Sequence, residues 1–124
     1  MRKLKIIAIA LMLGLSLTAN AKRLHPEKYY QNLWCNGKGA TEYVLKDNTR
    51  VDCLTNEYAI EADFANKWAE SIGQSLHYSR MTGKKAGILL IMEKQNDKKY
   101  LDRLQPLADT LGIKVWLIKP EIKH

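Results

Sequence analysis

Residues 49–92 read TRVDCLTNEYAIEADFANKWAESIGQSLHYSRMTGKKAGILLIM, and this stretch decides the fold. Residues 49–54 and 58–64 are short, alternating runs rich in β-formers, so they read as two antiparallel strands joined by a polar loop at 55–58. Residues 65–81 carry a helical pattern that stops at Gly83, with glycine supplying the left-handed cap. Residues 86–92 (AGILLIM) form an unbroken apolar run of strand length. Such a run belongs to a strand covered on both faces.

Working outward, Pro26-Glu27 opens a helix that runs to about Cys35, and Asn36-Gly37-Lys38-Gly39 ends it. A strand at 40–45 precedes the tight-turn signal Lys46-Asp47-Asn48. On the other side, residues 97–111 form an amphipathic helix with Tyr100, Leu101, Leu104, Leu107, Ala108 and Leu111 on its apolar side. Pro106 either kinks this helix or splits it. Gly112 caps it, and residues 113–118 make a last strand, parallel to the one at 86–92. The order is α-β-β-β-α-β-α-β. The fold class is therefore α/β (mixed α+β), a mixed sheet flanked by helices.

The same stretch holds the most informative polar residues. With a loop at 55–58, Leu54 pairs with Ala59 and Asp52 lies opposite Glu61, side chains on one face with Cβ atoms about 5 Å apart. Asp63 shares that face, and Arg50 is its cross-strand neighbour in this register. Two facing carboxylates repel unless a proton or cation lies between them, and a hard dication such as Mg²⁺ is held by carboxylates of this kind. On the helix, Lys67, Gln74 and Tyr78 fall within roughly 40° of one another at about 100° per residue. Ser71 lies near them, while Trp68, Ile72 and Leu76 form the opposite, core-facing sector. Glu42 on the preceding strand faces Asp52 if the turn has three residues and Cys53 if it has two. The competing reading of all these groups is a set of solvated surface charges.

Little else in the chain carries chemistry. There is no glycine-rich phosphate loop and no serine or cysteine nucleophile with a visible base. His25, His77 and His124 are scattered. Trp34, Trp68 and Trp116 read as core anchors rather than a base-stacking platform.

Residues 1–21 form a secretory signal: a basic head at Arg2, Lys3 and Lys5, an apolar run at 6–17, and Ala19-Asn20-Ala21 before the cleavage point. The run is shorter than the roughly 20 residues of a membrane span. The mature chain then covers residues 22–124 as one domain, exported to the periplasm or secreted, with no stable membrane association. Loss of three basic residues takes the formal charge from +7 to +4. A modest positive balance suits a polyanion without demanding one. In an oxidising compartment Cys35 and Cys53 pair as a disulfide, worth roughly 3 kcal/mol in the chain-entropy picture. Two lone cysteines lack the spacing of a zinc site.

Taken together, the αβββαβ order, Asp52, Glu61 and the Gln74-Ser75-Leu76-His77-Tyr78 segment resemble the PD-(D/E)XK nucleases, the restriction-endonuclease-like fold. The Gln-xxx-Tyr helix is similar to that of the exonuclease-like branch. The resemblance spans about residues 26–118, with a helix and strand added at the C-terminal end. It implies metal-dependent hydrolysis of phosphodiesters in DNA or RNA, with Asp52, Glu61, Asp63 and Glu42 as ligands of Mg²⁺ or Mn²⁺. Asp63 stands where the family has a lysine, and Lys67 is the substitute the resemblance suggests, acting with Gln74 and Tyr78. It also implies backbone-dominated, weakly sequence-specific binding. The alternative within the same fold is a non-catalytic protein that binds nucleic acid or another protein.

Overall fold

The computed structural model describes residues 23–121; the signal at 1–21 and His124 lie outside them. Helix α1 (Glu27–Cys35) leads into strands β1 (Gly39–Val44), β2 (Arg50–Thr55) and β3 (Tyr58–Phe64). A 3-10 turn at Ala65–Lys67 enters helix α2 (Trp68–Thr82), followed by β4 (Lys85–Ile91). A second 3-10 turn, Gln95–Asp97, enters α3 (Lys98–Leu111), and β5 (Lys114–Ile118) ends the described chain. The strands lie in sequence order, β1-β2-β3-β4-β5. The first three form an antiparallel meander, while β3, β4 and β5 run parallel across the α2 and α3 crossovers. This is a five-stranded mixed sheet flanked by helices.

The β1–β2 turn has three residues. Leu45 and Thr49 close it through Leu45 N–H to the Thr49 carbonyl at 2.8 Å, with Asn48 in the left-handed region at φ 68°. The Asp47 carboxylate accepts the Thr49 N–H at 3.1 Å. Thr41 pairs with Cys53 and Tyr43 with Val51, so Glu42 falls opposite Asp52. Glu42 itself is left-handed, at φ 55°, a conformation costing a non-glycine residue about 1–2 kcal/mol.

Between β2 and β3, Leu54 pairs with Ala59 and Cys53 with Ile60, and there the ladder stops. Arg50 therefore does not reach Asp63; it lies opposite Val44 and approaches Glu42 at 3.9 Å. The two strands part at Asp52, and the Asp52 carboxylate takes the Ala62 N–H at 2.8 Å in place of a backbone partner. A buried N–H is thereby satisfied by a side chain rather than a ladder.

The central strand β4 is buried on both sides, as its apolar run requires. Ile88 and Leu90 pack with Ala65, Leu104 and Ala108 under α2 and α3. Leu89 packs with Ile60, Ala62 and the cysteines under α1. Cys35 and Cys53 form a disulfide with Cα atoms 5.9 Å apart, which ties the end of α1 to β2 one residue from Asp52. Helix α3 continues through Pro106. Its buried row is Leu104 and Ala108, with Tyr100 and Leu101 alongside. Leu107 and Leu111 are each 45% exposed: Leu107 is turned about 60° from Leu104, and Leu111 is the last residue of the helix, so the buried row is shorter and narrower than expected. Among the described residues no helix is long and apolar enough to cross a membrane.

Candidate functional site

Strand β3 alternates, and its inward polar positions are the origin of the site. Glu61 and Asp63 are buried on the α2 side, paired in register with Ile88 and Leu90 of β4. A strand that buries carboxylates needs polar neighbours, and α2 supplies them. Its buried residues are Ser71, Ser75 and Tyr78. Trp68 and Ile72 pack on the apolar core, but Leu76 is 37% exposed rather than inward. The face of α2 that meets β3 is thus partly polar because β3 is.

The carboxyl groups form a connected row. Glu61 lies beside both Asp52 and Asp63, and Asp63 beside Glu27, each near enough to act on the next one's charge. Gln74, with its amide nitrogen turned toward Glu61, donates to the two carboxylate oxygens at 2.6 and 3.1 Å. The Tyr78 phenol lies close enough to Glu61 to feel its charge. Ser71 Oγ donates to Asp63 at 3.2 Å and to the Lys67 carbonyl at 3.0 Å. Glu42 joins from β1: Gln31 of α1 donates to it at 3.3 Å, and its charge acts on Asp52.

Adjacent carboxyl groups in a dry setting hold protons. Burial, and then the Asp52 charge, push Glu61 up to about 11 from 4.5. Burial likewise raises Asp52, partly opposed by its hydrogen bonds. Glu27 is pushed up to about 8, first by burial and then by Asp63 beside it. Burial raises the Tyr78 phenol too, with the Glu61 charge adding to it. These are the desolvation and like-charge effects that mark sites built for a task.

The expected residues Glu42, Asp52, Glu61, Asp63, Gln74 and Tyr78 therefore come together. Lys67 does not join them closely. It stands in the 3-10 turn before α2 with an exposed side chain, so it does not share the helical register of Gln74 and Tyr78. Its charge lowers Glu27, yet among the described residues no ion pair links it to Asp52, Glu61 or Asp63. Asp63 pairs with Ser71, not with Arg50. Glu27 is the residue the sequence reading missed. Its signal is the row Glu27, Gln31, Cys35, four residues apart on one helix face. Because Cys35 is tethered inward, Gln31 and Glu27 must turn inward with it.

The donor set is hard oxygen, which suits Mg²⁺ or Mn²⁺. Among the described residues, however, no three histidine, cysteine, aspartate or glutamate side chains are spaced as an ion's ligand set. Burial and mutual repulsion favour the protonated form of Glu61, so an ion bound there would have to replace its proton. Comparison with protein-family models, with curated proteins and with solved structures finds no match.

Proposed function

We propose that this chain is an exported, metal-dependent nuclease of the restriction-endonuclease-like fold, acting on DNA or RNA with little sequence specificity. One observation carries this reading: the carboxyl groups of buried Glu61 and Asp63 and half-buried Asp52 lie close enough to act on one another's charge where two strands part. Such a row is unfavourable for folding by itself, and a dication would relieve it.

Asp52, Glu61 and Asp63 would hold Mg²⁺ or Mn²⁺, with Glu42 at the rim. When bound, the ion polarises a phosphoryl oxygen and lowers the pKa of an attacking water. Gln74 and Tyr78 fix the Glu61 carboxyl and offer donors to a phosphate oxygen. Glu27, poised near neutrality, can hold or release a proton beside Asp63. Lys67, at the mouth next to Glu27, would move inward to stabilise charge on the phosphoryl group. The second reading keeps the fold without the chemistry, as a binding protein. The observation favouring it is the distance Lys67 keeps from the three carboxylates.

The test is incubation of the oxidised protein, residues 22–124, with plasmid DNA and with RNA in Mg²⁺, Mn²⁺ or EDTA, beside Glu61→Ala and Lys67→Ala. Metal-dependent loss of substrate by wild type, and its absence in Glu61→Ala, is the expected result. Equal loss in all three proteins would end the enzyme reading. Cation-dependent stabilisation without hydrolysis would select the binding reading.

A further inference from the structure

Beside the carboxylate row lies an open cleft of about 410 Å³, lined by Thr49, Arg50, Gly73, Gln74, His77 and Tyr78. Gln74 and Tyr78 are shared with the site: their polar ends reach Glu61 while other parts of them line the cleft. The cleft therefore adjoins the site directly. We propose that it is a phosphate subsite, seating the nucleic-acid backbone phosphate next to the one presented to the carboxylates. The inference rests on the nuclease reading and names where the adjoining strand runs.

Its lining offers donors. The Arg50 side chain is 65% exposed and is held only loosely by Glu42, at 3.9 Å. His77 is held firmly. Its Nε2 lies 2.7 Å from Asp47 Oδ2 and 3.5 Å from the Thr49 hydroxyl. Asp47 is in turn fixed by the Thr49 hydroxyl at 2.6 Å and the Thr49 N–H at 3.1 Å. With Nε2 committed, Nδ1 is the ring atom left for a ligand, and in the protonated ring it donates to an anionic oxygen. Three acids stand beside the cleft: Asp47, whose carboxylate is taken up by Thr49 and His77, Glu42, which faces Arg50, and Glu61, which takes the Gln74 amide.

Gly73 is the second observation. It sits mid-helix, where glycine costs stability, yet a Cβ there would meet nothing within 4 Å. Packing does not demand a glycine at this position, so the space above it is open for a ligand.

The test is fluorescence anisotropy with labelled single-stranded DNA and RNA 12-mers, using the oxidised protein in Ca²⁺ over a salt series. Arg50→Ala should weaken binding about tenfold and reduce the slope of log Kd against log salt by about one. His77→Ala and Asp47→Asn should each weaken it about threefold. Gly73→Leu should weaken binding while the melting temperature holds or rises. Arg50 and His77 are exposed enough that these variants fold, which their melting curves verify. If wild type binds but Arg50→Ala, His77→Ala and Gly73→Leu match it in affinity and slope, the subsite is refuted and the nuclease reading stands. If wild type binds neither oligonucleotide at low salt, both fall together.

Discussion

Glu93 and Glu61 are both glutamates with buried side chains, one just past the end of β4 and the other in the middle of β3, and they are supported in opposite ways. Glu93 follows β4 with its side chain only 2% exposed. Its Oε2 accepts the N–H groups of Leu24 and His25, at 3.0 and 3.2 Å, and the Tyr30 hydroxyl at 2.6 Å. Arg23 approaches its Oε1 at 3.6 Å. Glu61 has the Gln74 amide as its donor, and its other neighbours are the Tyr78 phenol and carboxyl groups. The first acid holds the segment before α1 to the sheet through three donors on its Oε2, while its buried Oε1 accepts no hydrogen bond and has only the Arg23 charge nearby. The second is surrounded by acids and holds protons instead. A buried acid that meets donors can tie two segments together; one set among other acids is held in its protonated form.

That contrast predicts effects of opposite sign. Glu93→Ala strips a buried ion pair and leaves its donors unmet, so it should cost about 3–5 kcal/mol in urea unfolding. Glu61→Gln should raise metal-free stability at neutral pH by about 1 kcal/mol, because glutamine is neutral without the proton uptake that folding imposes on Glu61. Equal losses from both variants would erase the distinction. Between these in size is the disulfide. The Cys35→Ser, Cys53→Ser double variant should lose roughly 3 kcal/mol, read by the same unfolding curves, and should loosen both α1 and Asp52.

The pH dependence sharpens the comparison. Folded Glu27 and Glu61 keep protons that the unfolded chain gives up near 4.5, since they are raised to about 8 and about 11. The folded state then binds more protons than the unfolded one. Stability is fullest below about pH 4.5 and declines as pH rises through about 8 and beyond. Melting temperatures of the metal-free protein should therefore drop from about pH 5 to about pH 8, and Glu61→Gln should flatten the decline. Mg²⁺ at the upper pH should restore the lost stability. A flat profile with no response to Mg²⁺ would show that the row is not charge-strained.

Much of the frame is legible in the chain because it depends on local spacing. The three-residue turn at Lys46-Asp47-Asn48 sets Glu42 opposite Asp52, and the short loop at 55–58 sets Leu54 against Ala59. The run at 86–92 announces a strand with two covered faces. What escapes is set by tertiary geometry. Glu27 reads as an acid at a helix start, where the dipole favours one, and its inward turn follows from the disulfide. Glu93 reads as a loop acid until Arg23 and Tyr30 are seen to close over it. Lys67 falls out of helical phase because the chain leaves β3 through a 3-10 turn. Leu76, Leu107 and Leu111 have apolar spacing but lie where the layers end.

The smallest predicted effect concerns Glu42. Replacing it with glycine removes the penalty of its left-handed backbone, so Glu42→Gly should leave stability unchanged or raise it by up to about 1 kcal/mol. It should also lower hydrolysis or ligand binding at the carboxylate row. Loss of stability in this variant would place Glu42 among the structural acids, with Glu93.

Glu42 also makes this position informative beyond the single molecule. In a lineage with no use for the carboxylate, mutation and drift would settle on glycine or asparagine at 42, because either residue accepts that backbone at lower cost. A sister sequence retaining an acid there would be keeping a group that its folding alone does not favour. The identity of residue 42 thus becomes a genealogical marker of whether the site is still in use.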